Sequence, residues 1–502
     1  MRYVVVGVVV LLSLSIGLVP HVAWAVEGDT IARVDAFIES EMRDAGIPGL
    51  ALAIVEGDRA VHLRGFGVAD GSGRAVTPQT PFPIASMSKT FTALAVMQLV
   101  EAGKIVLDAP LRTYVPWFDV GHDPRSADIT VRQLLTQRSG IPGNGDVEAF
   151  NDGDRSQAAL EHNVRRFATS ERLIAAPGAE FHYTNANFDV LGHLIEVVSG
   201  EGYETYLQRQ VFTPLDMAHT YASLSEARGQ GLAAGYYRWW GVPVETDMLP
   251  PGRASVPSAG LASSAEDLSH WLIVNLSAGS YRGRSLVSPN GLAETHRPVP
   301  GSEFDRYAMG WYVSPAWDAA RPSPDGSSYT VPTFLFCGGI HPAYHGSLEL
   351  FPDRGLAFAV VMNTYDATAE SRYGRVDWGI RAILLGKAPG PLGFNDPLLQ
   401  FFKVIVLGLV AIEAAVTVWS IRRSRAGSGW SRSAAIAAAV FILSLTFAFG
   451  YLPSQVRSFL VGIALGRLSD ISVMAATLIA LPVAWAIGMV LARTRLRRTA
   501  PR

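Results

Sequence analysis

The pattern of hydrophobic and polar positions predicts the first elements of the chain. Residues 31–42 carry apolar side chains at helical spacing after a candidate cap at Asp29 or Thr30, which predicts a helix. Residues 49–55 are mostly apolar, and a polar Glu-Gly-Asp turn follows them. In residues 60–66, apolar and polar side chains are interspersed. This arrangement is typical of a β-hairpin.

Further strand patterns appear only late in the chain. They fall in four short segments, 307–313, 332–336, 346–351 and 356–363. Residues 87–276 lie between and have mainly helical patterns, with an aromatic stretch at 236–240 that either lines a substrate site or covers the core. Strands so far from the hairpin favour antiparallel pairing. We therefore predict an α+β fold, with an antiparallel sheet flanked by helices and packed beside a mostly helical region.

The N-terminus has the pattern of an exported protein. Arg2 precedes an apolar run over 3–19, and Ala23 and Ala25 provide the small residues of a cleavage site. We predict a signal peptide over residues 1–25, and an uncleaved anchor helix is the alternative.

The last hundred residues are different in kind. They contain three apolar spans of about 20 residues each, the length that crosses a bilayer. The spans are 398–421, 434–452 and 471–491. Arginines are concentrated at 422–432 and after the third span, and the positive-inside rule puts both in the cytoplasm. Glu413 lies midway along the first span, where a carboxyl paired within the helix bundle is the simplest interpretation.

These patterns divide the chain into four parts. They are a signal peptide at 1–25, an extracytoplasmic domain at 26–385, a linker at 386–397, and a region of three transmembrane helices at 398–502 with a basic cytoplasmic C-terminus. With 42 basic and 44 acidic residues, the chain is not suited to a nucleic-acid partner. The single cysteine excludes an intramolecular disulfide. We find no metal-ligand cluster and no nucleotide loop, so we predict neither a metal nor a cofactor.

Ser86, Lys89, Tyr183 and Asn185 are the strongest candidates for chemistry. Ser86-Met-Ser-Lys89 heads an apolar helix and puts a hydroxyl and an amine on one face, a turn apart. A neutral lysine there can accept the serine proton and produce a nucleophile without a histidine. Tyr183-Thr-Asn185 adds a phenol for proton relay and an amide that can hold the lysine or the substrate.

The order of these motifs resembles the serine β-lactamase and penicillin-binding-protein superfamily, specifically its class C-like peptidase and esterase branch. The resemblance covers about residues 30–385. The other matching segments are Ile129–Pro142, Pro177–Gly178, Leu191–Gly192, Val256–Leu268, Gly338–Gly339, Pro352–Gly355 and Val361–Asn363. Gln137, where relatives commonly carry histidine, is a mild departure.

The resemblance implies an acyl-enzyme mechanism. Ser86 would attack a carbonyl and Lys89 would accept its proton. Tyr183 would relay that proton to the leaving group and later help to activate water. Asn185 would hydrogen-bond the substrate amide or Lys89. The backbone N–H groups of Ser86 and Ile340 would form the oxyanion hole.

The third family motif is where this sequence departs. Relatives carry Lys-Thr-Gly or His-x-Gly on the strand that lines the cleft, and here the triplet is Cys337-Gly338-Gly339. The glycines leave room for substrate against the strand, but a thiol cannot hold a carboxylate. The departure argues against recognition of a C-terminal carboxylate, and so against β-lactam hydrolysis and carboxypeptidase action. His341 or His345 could supply an imidazole nearby, unless both are structural.

The order of parts is similar to that of the colibactin-maturing group of membrane-bound peptidases, which remove an N-acyl-D-amino-acid cap from non-ribosomal peptide prodrugs. The leading hypothesis is a serine hydrolase tethered to the bacterial plasma membrane. It would act outside the cytoplasm on small peptides, amides or esters, as a peptidase tolerant of D-amino acids, with the lipid bilayer as its other partner. A penicillin-binding protein or β-lactamase is one alternative. A non-catalytic receptor for peptide or cell-wall fragments is the other.

Overall fold

The structure is a computed structural model that describes residues 26–389 with eight gaps. The gaps are 144–148, 150–151, 240–241, 247–248, 250–251, 300–305, 319–329 and 366–369. The predicted signal peptide, the three predicted spans with Glu413, and residues 390–397 of the predicted linker lie outside the described residues. Within the described part of the chain, no helix combines the length and apolarity that crossing a membrane requires.

The described residues form the following strands and helices. The strands are β1 Gly49–Glu56, β2 Arg59–Gly67, β3 Phe82–Pro83, β4 Gly235–Trp239, β5 Val242–Thr246, β6 Ala262–Ser263, β7 Ser280–Tyr281, β8 Arg284–Ser285, β9 Tyr312–Ser314, β10 Trp317–Asp318, β11 Thr330–Val331, β12 Phe334–His341, β13 Tyr344–Phe351 and β14 Leu356–Met362. The helices are α1 Gly28–Ala45, α2 Ser88–Glu101, α3 Val131–Leu135, α4 Ala159–Ser170, α5 Asn185–Ser199, α6 Tyr203–Leu207, α7 Leu224–Gly229, α8 Val256–Ala259, α9 Ala265–Leu276, α10 Pro289–Thr295 and α11 Glu370–Leu384.

One antiparallel sheet of six strands separates two hydrophobic layers. Its order is β2-β1-β14-β13-β12-β9. Successive side chains of a strand point to opposite faces, so each strand contributes to both layers. Helices α1 and α11 cover one face, and α2, α9 and the rest of the helical region cover the other. The predicted α+β fold with a flanked antiparallel sheet is confirmed.

The structure corrects two of the predicted strands and the start of the first helix, and it assigns a position to the aromatic stretch. Strand β12 continues to His341, well past 332–336, because it pairs with β13 along that whole length. The predicted strand at 307–313 is reduced to β9, with an isolated bridge between Tyr307 and Tyr312. Residues 236–239 of the aromatic stretch lie in β4, which forms a separate hairpin with β5, and Tyr236 is buried. Residue 240 lies outside the described residues. Helix α1 begins at Gly28, ahead of the predicted cap.

Candidate active site

Ser86 lies in a tight turn at the start of α2. Pairing of β3 with β6 anchors the chain before the turn, and a short 3₁₀ helix over Ala85–Met87 leads into α2. Ala85 has a φ of +48°, in the left-handed region that residues with side chains rarely adopt. Helix α2 is buried on almost every side. The surrounding core therefore holds Ser86 in one place at the edge of the helical layer.

The structure brings the four predicted polar residues together. Lys89 Nζ lies 3.1 Å from Ser86 Oγ, and Tyr183 Oη lies 3.0 Å from the same oxygen. Lys89 also donates to Asn185 Oδ1 at 2.6 Å and to the carbonyl oxygen of Ser258 at 2.8 Å. Lys89 is only 1 % exposed. The Ser258 carbonyl was not predicted, since a backbone oxygen has no signature in a sequence.

Gln137 holds the segment that carries Tyr183. Its Oε1 accepts hydrogen bonds from the Thr184 backbone N–H at 3.1 Å and from Asn187 Nδ2 at 2.6 Å. Its own carbonyl oxygen accepts from the His182 N–H at 2.8 Å. Gln137 itself has a φ of +59°. The mild departure noted in the sequence is therefore a buried clamp on both sides of Tyr183.

Strand β12 passes the serine turn with an open edge. Strand β9 pairs only with Phe334–Phe336, so among the described residues the rest of β12 has a partner strand, β13, on one side only. In an antiparallel ladder, alternate residues direct their N–H and C=O groups away from the partner. The residues beside the two-residue turn at 342–343 form a hydrogen-bonded pair, so the alternation directs the N–H groups of Gly338 and Ile340 to the open edge.

Gly339 lets β12 approach the serine turn. A Cβ atom built on Gly339 would lie 2.2 Å from the carbonyl oxygen of Ile84 and 3.4 Å from the Cβ of Ala85. A Cβ atom on Gly338 would meet nothing nearer than the Gly346 carbonyl oxygen at 3.9 Å. Only Gly339 is therefore required by close packing, and the two neighbours form a matched pair for a test.

We expect Gly339→Ala to destabilise the protein by about 1–3 kcal/mol, because β12 must move away from the turn. We also expect slower acylation of Ser86, since the N–H of Ile340 moves with the strand. Denaturant unfolding and the rate of adduct formation with a fluorophosphonate measure the two effects. Gly338→Ala is the control for packing and should change the free energy of unfolding little. Equal effects of the two substitutions would contradict this account of the packing.

Cys337 takes the place of the family's lysine or histidine and is buried against the serine turn. Its Sγ lies 3.6 Å from the backbone oxygen of Ser86, and the residue is 4 % exposed. Burial raises the pKa of the Cys337 thiol to about 12, although the charge of Lys89 opposes the shift. The thiol therefore stays protonated at neutral pH. It brings no positive charge to the cleft, as the sequence predicts.

Tyr307 packs behind Tyr183 and was not predicted as part of the site. The two rings meet edge to face, with centroids 6.1 Å apart and an interplanar angle of 87°. Burial raises the pKa of Tyr307 well above 10, and the nearby Tyr183 and Cys337 act in the same direction. The Gln137 side chain approaches the Tyr307 hydroxyl and opposes the shift, without a hydrogen bond of ordinary geometry. Tyr307 thus stays a neutral phenol.

Neither candidate histidine takes over the place of the missing cation. His345 lies on the other face of the sheet, where its Nε2 is 3.0 Å from Asp377 Oδ2 in α11. His341 is on the same face as Cys337 but four residues further along β12, about 13 Å away at the rise of a strand. Its Nε2 is 2.8 Å from the carbonyl oxygen of Ala259. Both histidines are buried.

His219, Glu266 and Asp267 are the residues of the described chain that could together hold a metal ion, with ligand atoms within 4.8 Å of one another. Asp267 Oδ2 accepts hydrogen bonds from the His219 backbone N–H and from Thr220 Oγ1, both at 2.7 Å. Burial raises the pKa of Asp267 to about 6, and these hydrogen bonds oppose the shift. The contacts account for the carboxylate as a structural group near the start of α9.

The penicillin-recognising serine enzymes have a serine at the start of a buried helix, beside an antiparallel sheet. As in this site, the serine is within hydrogen-bond distance of a lysine and a tyrosine. The comparison with protein families agrees with it. The chain belongs to the β-lactamase family, because the family model described as Beta-lactamase matches residues 34–377. Proteins with this fold are generally serine hydrolases.

The chain is also similar to two curated relatives and two solved structures. Protein flp of Staphylococcus aureus (strain COL) is 30 % identical over 289 residues, which are 57 % of this chain and 56 % of the relative. Unguisins hydrolase ungD of Aspergillus violaceofuscus is 30 % identical over 321 residues, 55 % of this chain and 54 % of the relative. The chain thus spans about half the length of each.

The octameric penicillin-binding protein homologue from Pyrococcus abyssi superposes with a TM-score of 0.57 at 29 % identity. The match covers 72 % of this chain and 78 % of that structure. SurE superposes with the same TM-score of 0.57 at 23 % identity, over 73 % of this chain and 78 % of that structure, which shows a shared fold.

Proposed function

We propose that the protein is a membrane-tethered, extracytoplasmic serine hydrolase that cleaves amides or esters through an acyl-enzyme on Ser86. The observation that carries the proposal is that Lys89 Nζ and Tyr183 Oη both lie within hydrogen-bond distance of Ser86 Oγ. A peptidase tolerant of D-amino acids is the preferred form, on the basis of the order of parts along the sequence. The tether is the predicted membrane region at 398–502.

The contacts of Lys89 suit a general base. A neutral amine has two N–H bonds and one lone pair. The Asn185 amide oxygen and the Ser258 carbonyl can take the two N–H bonds, which leaves the lone pair directed at the Ser86 hydroxyl. The positions of these acceptors therefore aim the basic nitrogen before substrate binds, and little reorganisation is needed at the moment of reaction.

In the acylation step, Lys89 takes the proton of the Ser86 hydroxyl while Oγ forms a bond to the substrate carbonyl carbon. The carbonyl electron pair moves to its oxygen, which the N–H groups of Ser86 and Ile340 would stabilise. Tyr183 then donates its phenol proton to the leaving nitrogen or oxygen as the bond from that atom to carbon breaks, and the proton on Lys89 restores the phenol. In deacylation a water molecule attacks the acyl carbon while Tyr183 and Lys89 accept its proton, and Ser86 Oγ leaves, recovers a proton and releases the acid.

Labelling with a fluorophosphonate tests the proposal directly. The full-length protein in detergent should gain the mass of one adduct, because an activated serine attacks phosphorus and expels fluoride. Ser86→Ala should abolish the adduct. The control is Ser170→Ala, which removes an exposed serine at the end of α4 and should label like the wild type. An adduct that survives in Ser86→Ala would overturn the assignment of the nucleophile.

The same experiment separates the alternatives. If the folded wild type forms no adduct, the cleft is inert and the non-catalytic receptor becomes the better proposal. A fluorescent penicillin tests the other alternative, which the likeness to a penicillin-binding protein homologue favours. We expect little or no labelling by the penicillin, because the buried thiol of Cys337 cannot pair with its carboxylate.

A further inference from the structure

Two consecutive carbonyl oxygens of α8 accept hydrogen bonds from different parts of the site. The last carbonyl groups of a helix have no partner within the helix, so they need one outside it. Lys89 Nζ donates to the oxygen of Ser258 at 2.8 Å, and His341 Nε2 lies 2.8 Å from the oxygen of Ala259. Because a carbonyl oxygen can only accept, Nε2 of His341 carries the proton and donates it. The oxygen that aims Lys89 is therefore next to one that is bonded to strand β12.

The preceding residue of α8 is held against two helices. Thr92 Oγ1, on the same helix as Lys89, donates to the carbonyl oxygen of Pro257 at 2.7 Å. Tyr203 Oη lies 2.7 Å from that hydroxyl, and both side chains are fully buried. A Cβ atom built on Gly192 of α5 would lie 2.1 Å from Cγ of Pro257, so the proline ring packs directly on that glycine. These contacts fix α8 relative to α2 and α5, and His341 adds a bond from α8 to the sheet.

His341 is the neighbour of Ile340 along β12. The N–H group of Ile340 is directed to the open edge of that strand, where it would stabilise the oxyanion. His341 is only 2 % exposed, and its side chain crosses from β12 to the turn whose next carbonyl holds Lys89. One buried side chain thus connects the strand of the oxyanion donor with the turn that aims the base.

We propose that His341 is a positioning residue, which fixes the separation between the Ile340 N–H and the Lys89 amine. The inference rests on the proposed function and adds a residue to it. Ser86 attacks efficiently only if the base and the oxyanion donor are correctly placed around the same substrate carbonyl, and a displacement of about 1 Å can cost about 10²-fold in rate. Loss of the bond between His341 and Ala259 should therefore slow the chemical step and leave binding largely unchanged.

The rate of fluorophosphonate labelling of the full-length protein in detergent tests the inference, because the phosphoryl oxygen of the probe would lie in the oxyanion hole. In His341→Leu, we expect the limiting rate at saturating probe to fall by about 10–100-fold, while the half-saturating concentration changes by less than about threefold. His341→Gln places an amide N–H near the position of Nε2 and should recover most of the rate. His341→Asn carries the same amide on a shorter chain and should stay slow.

His345→Leu is the matched control. His345 is also buried, pairs with Ile340 in the ladder between β12 and β13, and loses its contact with Asp377 when it is replaced. Denaturant unfolding should show a loss of stability in both leucine variants, whereas only His341→Leu should label slowly. Equal slowing in the two variants would show that His341 acts on stability alone and would overturn the inference.

The outcomes separate this inference from the proposed function. A folded wild type that forms no adduct overturns the proposed function. A wild type that labels on Ser86, together with a His341→Leu variant that labels equally fast, overturns the inference alone. If His341→Leu does not fold, the comparison of His341→Gln with His341→Asn decides, and equal rates in these two variants contradict a role for the hydrogen bond.

Discussion

Replacing Lys89 with methionine is expected to lower kcat/KM by about 10⁴–10⁶-fold for every amide or ester that the wild type cleaves. Methionine retains an unbranched apolar chain of four atoms and lacks the terminal nitrogen that contacts Ser86, Asn185 and Ser258. Without it, no base is aimed at the serine hydroxyl. A residual rate remains, because the oxyanion hole and substrate binding are retained.

The measurement is steady-state hydrolysis together with the rate of fluorophosphonate labelling. Lys104→Met is the matched control, since Lys104 is exposed, and it should behave like the wild type. Ser86→Ala should reach the same low rate, and the double variant should be no slower than either single variant, because residues that act as a unit are not additive. More than about one hundredth of the wild-type rate in Lys89→Met would show that another group is the base.

Replacing Arg381 with methionine is expected to reduce the free energy of unfolding by about 3–5 kcal/mol. Arg381 of α11 donates to both oxygens of Glu349 on β13, at 2.7 Å and 2.5 Å. Glu349 is buried between the sheet and α11, so the substitution would leave a buried carboxylate without its partner. Removing both charges with Glu349→Leu and Arg381→Met should recover most of the loss.

Denaturant unfolding measures the loss, and pH gives a second test. Burial raises the pKa of Glu349 above 4.5, with Arg381 opposing the shift, so the folded state holds this proton more tightly than the unfolded state. The tighter binding of this proton stabilises the folded state below pH 4.5. That stabilisation is lost as pH rises through the raised pKa of Glu349. The effect of Arg381→Met should accordingly shrink as pH falls, since a protonated carboxyl needs no guanidinium.

A surface ion pair provides the control for this second prediction. Arg59 pairs with Glu56 at 3.0 Å, and its side chain is 69 % exposed. Arg59→Met should cost less than about 1 kcal/mol, because water and salt screen the charges. Equal losses in the free energy of unfolding for Arg59→Met and Arg381→Met would contradict the view that burial makes the Arg381–Glu349 pair important.

Runs of apolar residues in the sequence predicted the central strands β1 and β14, which are buried on both faces. The first hairpin and the strand β14 follow from their runs of apolar residues, and both lie within the predicted ranges or extend them slightly. Strand β12 was predicted too short because glycine has low strand propensity. Gly339 is required there because any side chain would collide with the backbone oxygen of Ile84. A requirement set by a distant backbone oxygen leaves no periodic signal.

The candidate site divides in the same way. Ser86, Lys89, Tyr183 and Asn185 were predicted to meet, because chemistry restricts which residue types can occupy such positions. Tyr307 was missed, because an aromatic residue near a short strand has the pattern of any core residue. The sequence identified Cys337 as a departure but could not show that its thiol is buried or that a phenol lies beside it.

The position of α11 has a practical consequence. This helix packs on the face of the sheet opposite to the one that contacts α2 and Ser86. A protein captured on a solid support through residues that follow α11 would therefore present its cleft to the solution. A reporter domain joined at that point would likewise leave the route to the serine unobstructed.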